Sequence, residues 1–288
     1  MSTIELLQSN TGLFYALVAI ISLCIGSFLN VVIYRLPLMM EREWRSQCLE
    51  MLEQDDPKPD ESRFNLAFPA SSCPHCGHRI KIWQNIPILS YLLLRGKCGV
   101  CGGSISIQYP LIEALTAILS LVVAWKFGVS WQTVAALVLT WALIAMSMID
   151  AQKQLLPDII TLPLLWLGLL ISLPELFVDS HTSIVGAACG YLSLWAVYHL
   201  FKLLTGKEGM GFGDFKLFAA LGAWMGWKML PLIIVLSSFV GAVIGIALII
   251  LTKRDRQIPI PFGPYLAIAG WVALIWGDSI MQAYFSVM

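Results

Sequence analysis

Charged residues are scarce in this chain. Asp, Glu, Lys and Arg make up 12% of its 288 residues, about half of the roughly 25% that is usual in soluble domains. The formal net charge is zero, which argues against a nucleic-acid partner, because such partners select for a basic surface.

The first ten residues contain Glu5 but no Lys or Arg. They therefore lack the basic start of a cleaved signal peptide, and we expect the first apolar run to be a retained helix.

Apolar residues, in contrast, make up 58% of the chain. They cluster into runs that approach the roughly 20 residues needed to cross a bilayer. The pattern predicts an all-α polytopic membrane protein with about eight transmembrane helices. The predicted spans are 11–34, 111–126, 131–149, 159–177, 183–203, 215–227, 229–251 and 264–283. We therefore expect three parts, namely a first transmembrane helix over 1–34, a polar insertion over 35–110 and a helical membrane domain over 111–288.

The insertion itself begins with a helical pattern. Met40, Trp44, Cys48 and Leu52 recur every fourth residue, which predicts a helix with one apolar face over about 38–54. The acidic run at 54–61 contains two prolines and is typical of a solvated linker.

Four of the seven cysteines form two tight pairs in the insertion: Cys73 with Cys76, and Cys98 with Cys101. Each pair is followed by a glycine that lets the backbone turn, and two such pairs complete a tetrahedral four-thiolate zinc site. A closed site of this kind has no open coordination position. We therefore expect one structural zinc ion per chain that takes no part in the chemistry. A pair of redox dithiols is the alternative, and His75 or His78 could replace one of the thiolates.

Acids at the ends of predicted spans are the candidate catalytic groups, because ionisable side chains in membrane helices are costly and usually functional. Asp214 follows the glycines Gly211 and Gly213 and precedes an apolar run, and Asp150 ends the third span. Two facing carboxyls do not both ionise easily, so they can share one proton and act as base and acid. Asp158 competes with Asp150 for the place beside Asp214, but its Leu-Pro-Asp setting is typical of a helix cap.

The basic residues predict the orientation. With eight spans, all of the 18 Lys and Arg residues except Lys126 and Lys228 fall on the side that carries the insertion. This bias identifies that side as cytoplasmic and places both termini in the periplasm. Asp150 and Asp214 then both lie at cytoplasmic helix ends. Glu113, in the first turn of the second span, either matches the positive end of the helix dipole or contributes to the active site.

These residues together resemble the type IV prepilin peptidase family, aspartic endopeptidases of the bacterial cytoplasmic (inner) membrane. The resemblance covers nearly the whole chain. Besides the cysteine pairs it is carried by residues 26–30, 35–37, 85–87, 89–91, 109–110 with Glu113, 149–150, 156–158, 211–216 and 261–265. The Gly-x-Gly-Asp motif also occurs in other intramembrane aspartyl proteases, so the cysteine module and the remaining segments make the resemblance specific.

The resemblance implies that Asp150 and Asp214 are the catalytic pair. It implies cleavage of the basic leader of prepilins and pseudopilins after a glycine on the cytoplasmic side, in type IV pilus biogenesis and type II secretion. It also implies methylation of the new N-terminus with S-adenosyl-L-methionine. The residues expected to support substrate binding are Gly211, Gly213, Lys216 and Glu113.

The sequence leaves some questions open. No strand–turn–helix nucleotide pattern marks a methyl-donor site, so its location stays unknown. An ion- or proton-coupled transporter with a zinc-stabilised cytoplasmic domain is the alternative function, although a transporter predicts ionisable groups near the membrane midplane. A scaffold whose zinc domain binds an assembly partner is a third hypothesis.

Overall fold

The computed structural model describes residues 3–53, 64–252 and 261–287. Within these ranges the regular structure is helical, with only isolated β-bridges at Ser72–Arg79 and Lys97–Ser104. The α-helices are α1 (Thr3–Ser9), α2 (Thr11–Met51), α3 (Leu89–Leu93), α4 (Gln108–Phe127), α5 (Trp131–Lys153), α6 (Asp158–Ile171), α7 (Ser180–Thr205), α8 (Phe212–Met225), α9 (Leu230–Thr252) and α10 (Gly263–Val287). Short 3₁₀ turns occur at Ile82–Asn85 and Trp227–Met229.

Each of the eight predicted spans overlaps one of these helices, although α6 ends at Ile171 where the predicted span continues to 177. Six helices in the described part of the chain are long and apolar enough to cross a membrane, which confirms a helical, multi-pass membrane protein. The other two, α6 and α8, have 14 residues each and are about 21 Å long. That length is below the bilayer core of about 30 Å, so eight crossings stay a prediction.

The first span is longer than the sequence indicated. Instead of ending near residue 34 before a second helix over 38–54, the chain forms one 41-residue helix, α2, that passes through Pro37. Proline removes one backbone hydrogen bond within a helix, but the helical spacing of apolar residues continues on both sides of it. The linker predicted at 54–61 lies outside the described residues.

The chain divides into two compact units, Met1–Val129 and Ser130–Met288. In the first unit α2 packs closely along α4. A Cβ on Gly26 would lie 2.8 Å from the Cα of Glu113, so only a glycine permits this approach. The Asn30 amide donates to the carbonyls of Gly26 and Tyr109 at 3.2 and 3.1 Å, which ties the start of α4 to α2.

In the second unit α8 is the central helix, and its residues from Leu217 to Met225 are all buried. A Cβ on Gly222 would overlap the carbonyl of Gly186 in α7, so only a glycine permits this close packing of the two helices. The Trp224 indole donates to the Leu164 carbonyl of α6 at 2.8 Å. Held from both sides, α8 has little freedom to shift, and this rigidity positions Asp214 in its first turn.

Candidate active site and metal centre

Asp214 lies in the first turn of α8, three residues after the N-cap Gly211. Its side chain is buried, and the backbone of Gly211 interacts with its carboxyl group. A carboxyl at this position suits the positive end of a helix. Its Oδ1 atom is buried and has no hydrogen-bond partner among the described residues, so one oxygen is available to a proton or a substrate.

Asp150 lies in the last turn of α5 and is also buried. Its Oδ2 accepts a 3.1 Å hydrogen bond from the backbone N–H of Gly263, the first residue of α10. The carboxylate therefore faces the N-terminus of a second helix, where backbone N–H groups stabilise negative charge.

Asp150 and Asp214 lie near each other within the second unit. Their carboxyl groups interact electrostatically. The side chain of Leu156 packs beside the neighbours of both acids. A Cβ built on Gly213, next to Asp214, would lie 2.7 Å from it, and one built on Gly263, which donates to Asp150, would lie 3.2 Å from it. Two residues far apart in the sequence thus share one site in the second unit.

Asp158 has a different environment. As the first residue of α6, it pairs with Lys216, whose Nζ lies 2.7 Å from both carboxylate oxygens. The Asp158 side chain is 52% exposed. Asp150, in contrast, is buried and forms no ion pair among the described residues. Burial and the ion pair with Lys216 therefore distinguish the two acids. The sequence suggested Lys216 as a substrate-supporting residue.

The two glycines before Asp214 differ in their surroundings. The space that a side chain would take at Gly213 is filled by Leu156, so the missing Cβ there serves packing. At Gly211 the nearest atom to such a Cβ is Asp214 Oδ2, at 3.9 Å. Close approach of a substrate backbone is thus sterically easier at Gly211.

Glu113 is buried in the first unit, where its partners belong to α2 and to the insertion. Its Oε2 accepts a 2.7 Å hydrogen bond from the backbone N–H of Ile88, and its carboxyl also interacts with the Ser27 hydroxyl. The short apolar segment between the cysteine pairs is thereby attached to the membrane helices.

The four paired cysteines form one cluster, with all four sulfur atoms within 4.8 Å of one another. The two halves are built alike. The N–H of Gly77 donates to the Cys73 carbonyl and that of Gly102 to the Cys98 carbonyl, each at 2.9 Å. Both glycines have a φ of 70°, a left-handed conformation that glycine adopts readily.

The cluster has the chemistry of a metal site. Hydrogen bonds from the backbone N–H groups of Cys101 and Val100 lower the pKa of Cys98 to about 6, which favours a thiolate at that position. Against a backbone hydrogen bond from Gly103 that lowers it, burial and the neighbouring thiols raise the pKa of Cys101 to about 11. The His75 ring packs against Gly103, and no histidine belongs to the cluster found in the described ranges. Four thiolates at this spacing fit a tetrahedral metal ion.

Sequence reasoning assigned no role to Gly263, Leu156 or Ile88. Gly263 lies in a Pro-Phe-Gly-Pro segment that contributed to the family resemblance, and its turn-forming residues were the available signal. Leu156 likewise lies in the Leu-Pro-Asp segment that contributed to the resemblance, whereas Ile88 carried no signal, because apolar residues occur throughout this chain.

Comparison with known proteins follows the same division of the chain. The model described as the bacterial peptidase A24 N-terminal domain matches residues 20–127, and the model described as the type IV leader peptidase family matches residues 137–246. No solved structure gives a significant match.

Several curated proteins named prepilin leader peptidase/N-methyltransferase are similar over almost the whole length. One from Stutzerimonas stutzeri is 57% identical, covering 99% of this chain and 98% of that protein. One from Aeromonas salmonicida is 55% identical with coverage of 99% and 98%. One from Pseudomonas aeruginosa is 54% identical, also with coverage of 99% and 98%.

Proposed function

This chain belongs to the type IV leader peptidase family, and we propose that it is a membrane peptidase that uses Asp150 and Asp214 to cleave the leader of prepilins and pseudopilins after a glycine. The observation that carries this assignment is the meeting of two buried carboxyls, one ending α5 and one opening α8. Residues 35–110 then form the insertion, and 111–288 form the catalytic membrane domain.

The surroundings of the two acids suggest different roles. Asp150 is the base, because the Gly263 N–H and the N-terminus of α10 favour its ionised form. Asp214 holds the shared proton, because its Oδ1 is buried without a hydrogen-bond partner among the described residues.

The reaction then proceeds by general base and general acid catalysis. Asp150 takes a proton from water, and the water oxygen attacks the scissile carbonyl while Asp214 gives its proton to the carbonyl oxygen. The tetrahedral intermediate breaks its C–N bond when the proton on Asp150 passes to the leaving nitrogen, and one of its two hydroxyls returns a proton to Asp214 as the carbonyl re-forms. Atoms and charges balance without a metal ion.

The second activity is methylation of the new N-terminus. The relatives quoted above are named as N-methyltransferases, and S-adenosyl-L-methionine is the proposed methyl donor. It would supply a methyl group carried on a sulfonium sulfur. Transfer would form the N–CH3 bond, break the S–CH3 bond with release of the neutral thioether S-adenosylhomocysteine, and take one proton from the amine.

The metal in the cysteine cluster is proposed to be a single structural Zn²⁺ ion. The donor set supports this choice, because four thiolates suit zinc and leave no position open for water or substrate.

The cysteine insertion and both acids are proposed to face the cytoplasm of a bacterial inner membrane, with both termini in the periplasm, as the distribution of Lys and Arg indicates. The substrate helix would remain in the bilayer and enter laterally.

The transporter alternative is not supported. The quoted relatives are named as peptidases, and both acids lie in terminal turns of their helices, where a midplane ion pathway would not place them.

Cleavage of a purified prepilin by the enzyme in lipid nanodiscs tests the proposal. Asp150→Asn and Asp214→Asn are each expected to lower the cleavage rate by about 10²–10⁴-fold, the usual contribution of a general acid or base. Asp158→Asn is the matched control and is expected to keep most of the activity. Normal cleavage by either of the first two variants would exclude the proposed pair.

A further inference from the structure

Large apolar side chains are exposed along the segment between the two cysteine pairs. Besides Ile80 there are five of them, and we call these five the apolar tip: Trp83, Ile86, Leu89, Leu92 and Leu93. The last of them is 82% exposed. Several exposed apolar side chains on one short connecting segment favour contact with another protein or with a membrane.

The depth of the apolar tip follows from its attachment to α4. That helix has 20 residues, about 30 Å, and so needs its whole length to cross the hydrocarbon core. Glu113 is its sixth residue, about 7.5 Å from its start along the axis. Because Ile88 donates its N–H to Glu113 at 2.7 Å, the tip lies at the depth of the membrane interface.

The backbone at this attachment is held in a rare conformation. Ile88 has φ 60° and ψ −51°, and the Leu89 N–H donates to the Pro87 carbonyl at 2.6 Å, which closes a three-residue turn. A β-branched residue adopts such a turn only when its surroundings impose it. The Ser90 hydroxyl donates to the Gln84 carbonyl at 2.6 Å, so a second hydrogen bond holds residues 84–90 together. The tip is therefore held in one position.

The charges around the apolar tip identify its partner. Residues 79–97 contain four basic residues and no acid. The Lys81 ammonium lies 5.2 Å from the centre of the Trp83 ring. Aromatic and basic residues beside exposed leucines are typical of segments that lie in the interface of an anionic membrane. A substrate with a basic leader would be repelled by these cations.

We propose that the apolar tip inserts into the headgroup–acyl boundary of an anionic leaflet and anchors the cysteine module to the membrane surface. Glu113 is the residue that sets its depth. The anchor depends on α4 and the insertion and not on the two catalytic acids, so the same insertion is expected in an Asp214→Asn chain that cannot cleave.

The test measures the depth of a spin label on the full-length protein in nanodiscs. A label is attached at Leu93→Cys, after Cys24, Cys48 and Cys189 are replaced by serine and with zinc protecting the cluster. Glu50→Cys is the aqueous control, because it is exposed near the end of α2, a helix of about 60 Å that extends well beyond the bilayer core. Accessibility to oxygen relative to a water-soluble nickel chelate reports the depth.

We expect the accessibility ratio at residue 93 to be several-fold higher than at residue 50 in nanodiscs that contain phosphatidylglycerol. It should fall toward the aqueous value with Leu89→Glu and Leu92→Glu together, and also with Glu113→Ala. Glu113→Gln, which keeps an acceptor for the Ile88 N–H, should preserve it. Zinc content confirms that each variant is folded.

Three results would overturn the inference. An aqueous ratio at residue 93 would show that the apolar tip is not inserted. An immobilised label shielded from both oxygen and nickel would show that a protein covers it. An equal depth in pure phosphatidylcholine would exclude the role of anionic lipid.

Discussion

At the residue scale, small differences in surroundings separate acids that look alike in the sequence. Asp150 and Asp158 both end or begin a helix near Asp214, but only Asp150 is buried and only Asp158 has a lysine partner. Asp150 is shielded from solvent beside Asp214, where two carboxyls can share one proton, whereas Asp158 is exposed and bonded to Lys216. This contrast explains why the proposed chemistry belongs to Asp150.

The substitution Gly263→Ala tests how strongly the cleavage rate depends on the position of the Asp150 carboxylate. A Cβ on Gly263 would lie 2.6 Å from Asp150 Oδ2, so Gly263→Ala must displace the carboxylate. A shift of about 1 Å can lower a rate about 10²-fold, and we expect a kcat loss of that size with KM and zinc content nearly unchanged. Cleavage kinetics with a prepilin provide the measurement.

Gly12→Ala is the control for this substitution. Its Cβ would meet only the Asn10 side chain, at 3.6 Å, and the position is exposed at the start of α2. Full activity of both variants would show that the carboxylate tolerates displacement and would weaken its assignment as the base.

At the element scale, the cysteine module shows how little secondary structure a metal site needs. Each of its two turns is closed by one isolated bridge, and a five-residue helix lies between them along the chain. This is too little apolar core to fold alone. Zinc binding can supply about 10–16 kcal/mol in small modules of this kind. We therefore expect the metal to stabilise the insertion.

Cys98→Ser tests that expectation, because it removes one of the four thiolates. Zinc measured by mass spectrometry should fall from about one ion per chain to a small fraction of that value, and proteolysis within residues 64–107 should become faster. Cys48→Ser, outside the cluster, should leave both properties unchanged. Equal zinc in the two variants would contradict the four-thiolate site.

At the scale of the whole molecule, the number of membrane crossings depends on the two short helices α6 and α8. The helices α6 and α8 are short for a bilayer. Only when both of them cross, however, do all but two of the Lys and Arg residues fall on one side of the membrane. Short spans are accommodated by local thinning of the bilayer at a modest cost.

Topology reporters placed in successive loops determine whether α6 and α8 cross the membrane. If α6 and α8 cross, reporters at Gln154 and Gly206 should read as cytoplasmic, and those at Val129, Glu175 and Lys228 as periplasmic. If α6 does not cross, Glu175 becomes cytoplasmic and Gly206 becomes periplasmic. The second result would disprove the eight-span arrangement.

The sequence by itself determined the features that are local along the chain. Apolar runs predicted the position of every membrane helix described above, since crossing a bilayer depends on consecutive residues. The spacing of the cysteines predicted their cluster, because two residues between ligands bring both thiols to one ion. Glycines before an acid marked Asp214 as a candidate.

Only the tertiary structure decided which of these features meet. Gly263 and Asp150 are 113 residues apart, Lys216 and Asp158 are 58 apart, and Ile88 and Glu113 are 25 apart. Helix packing sets such pairs through the shapes of buried surfaces, as at Gly186 and Gly222. In a chain where apolar residues are everywhere, those shapes leave no local pattern to read.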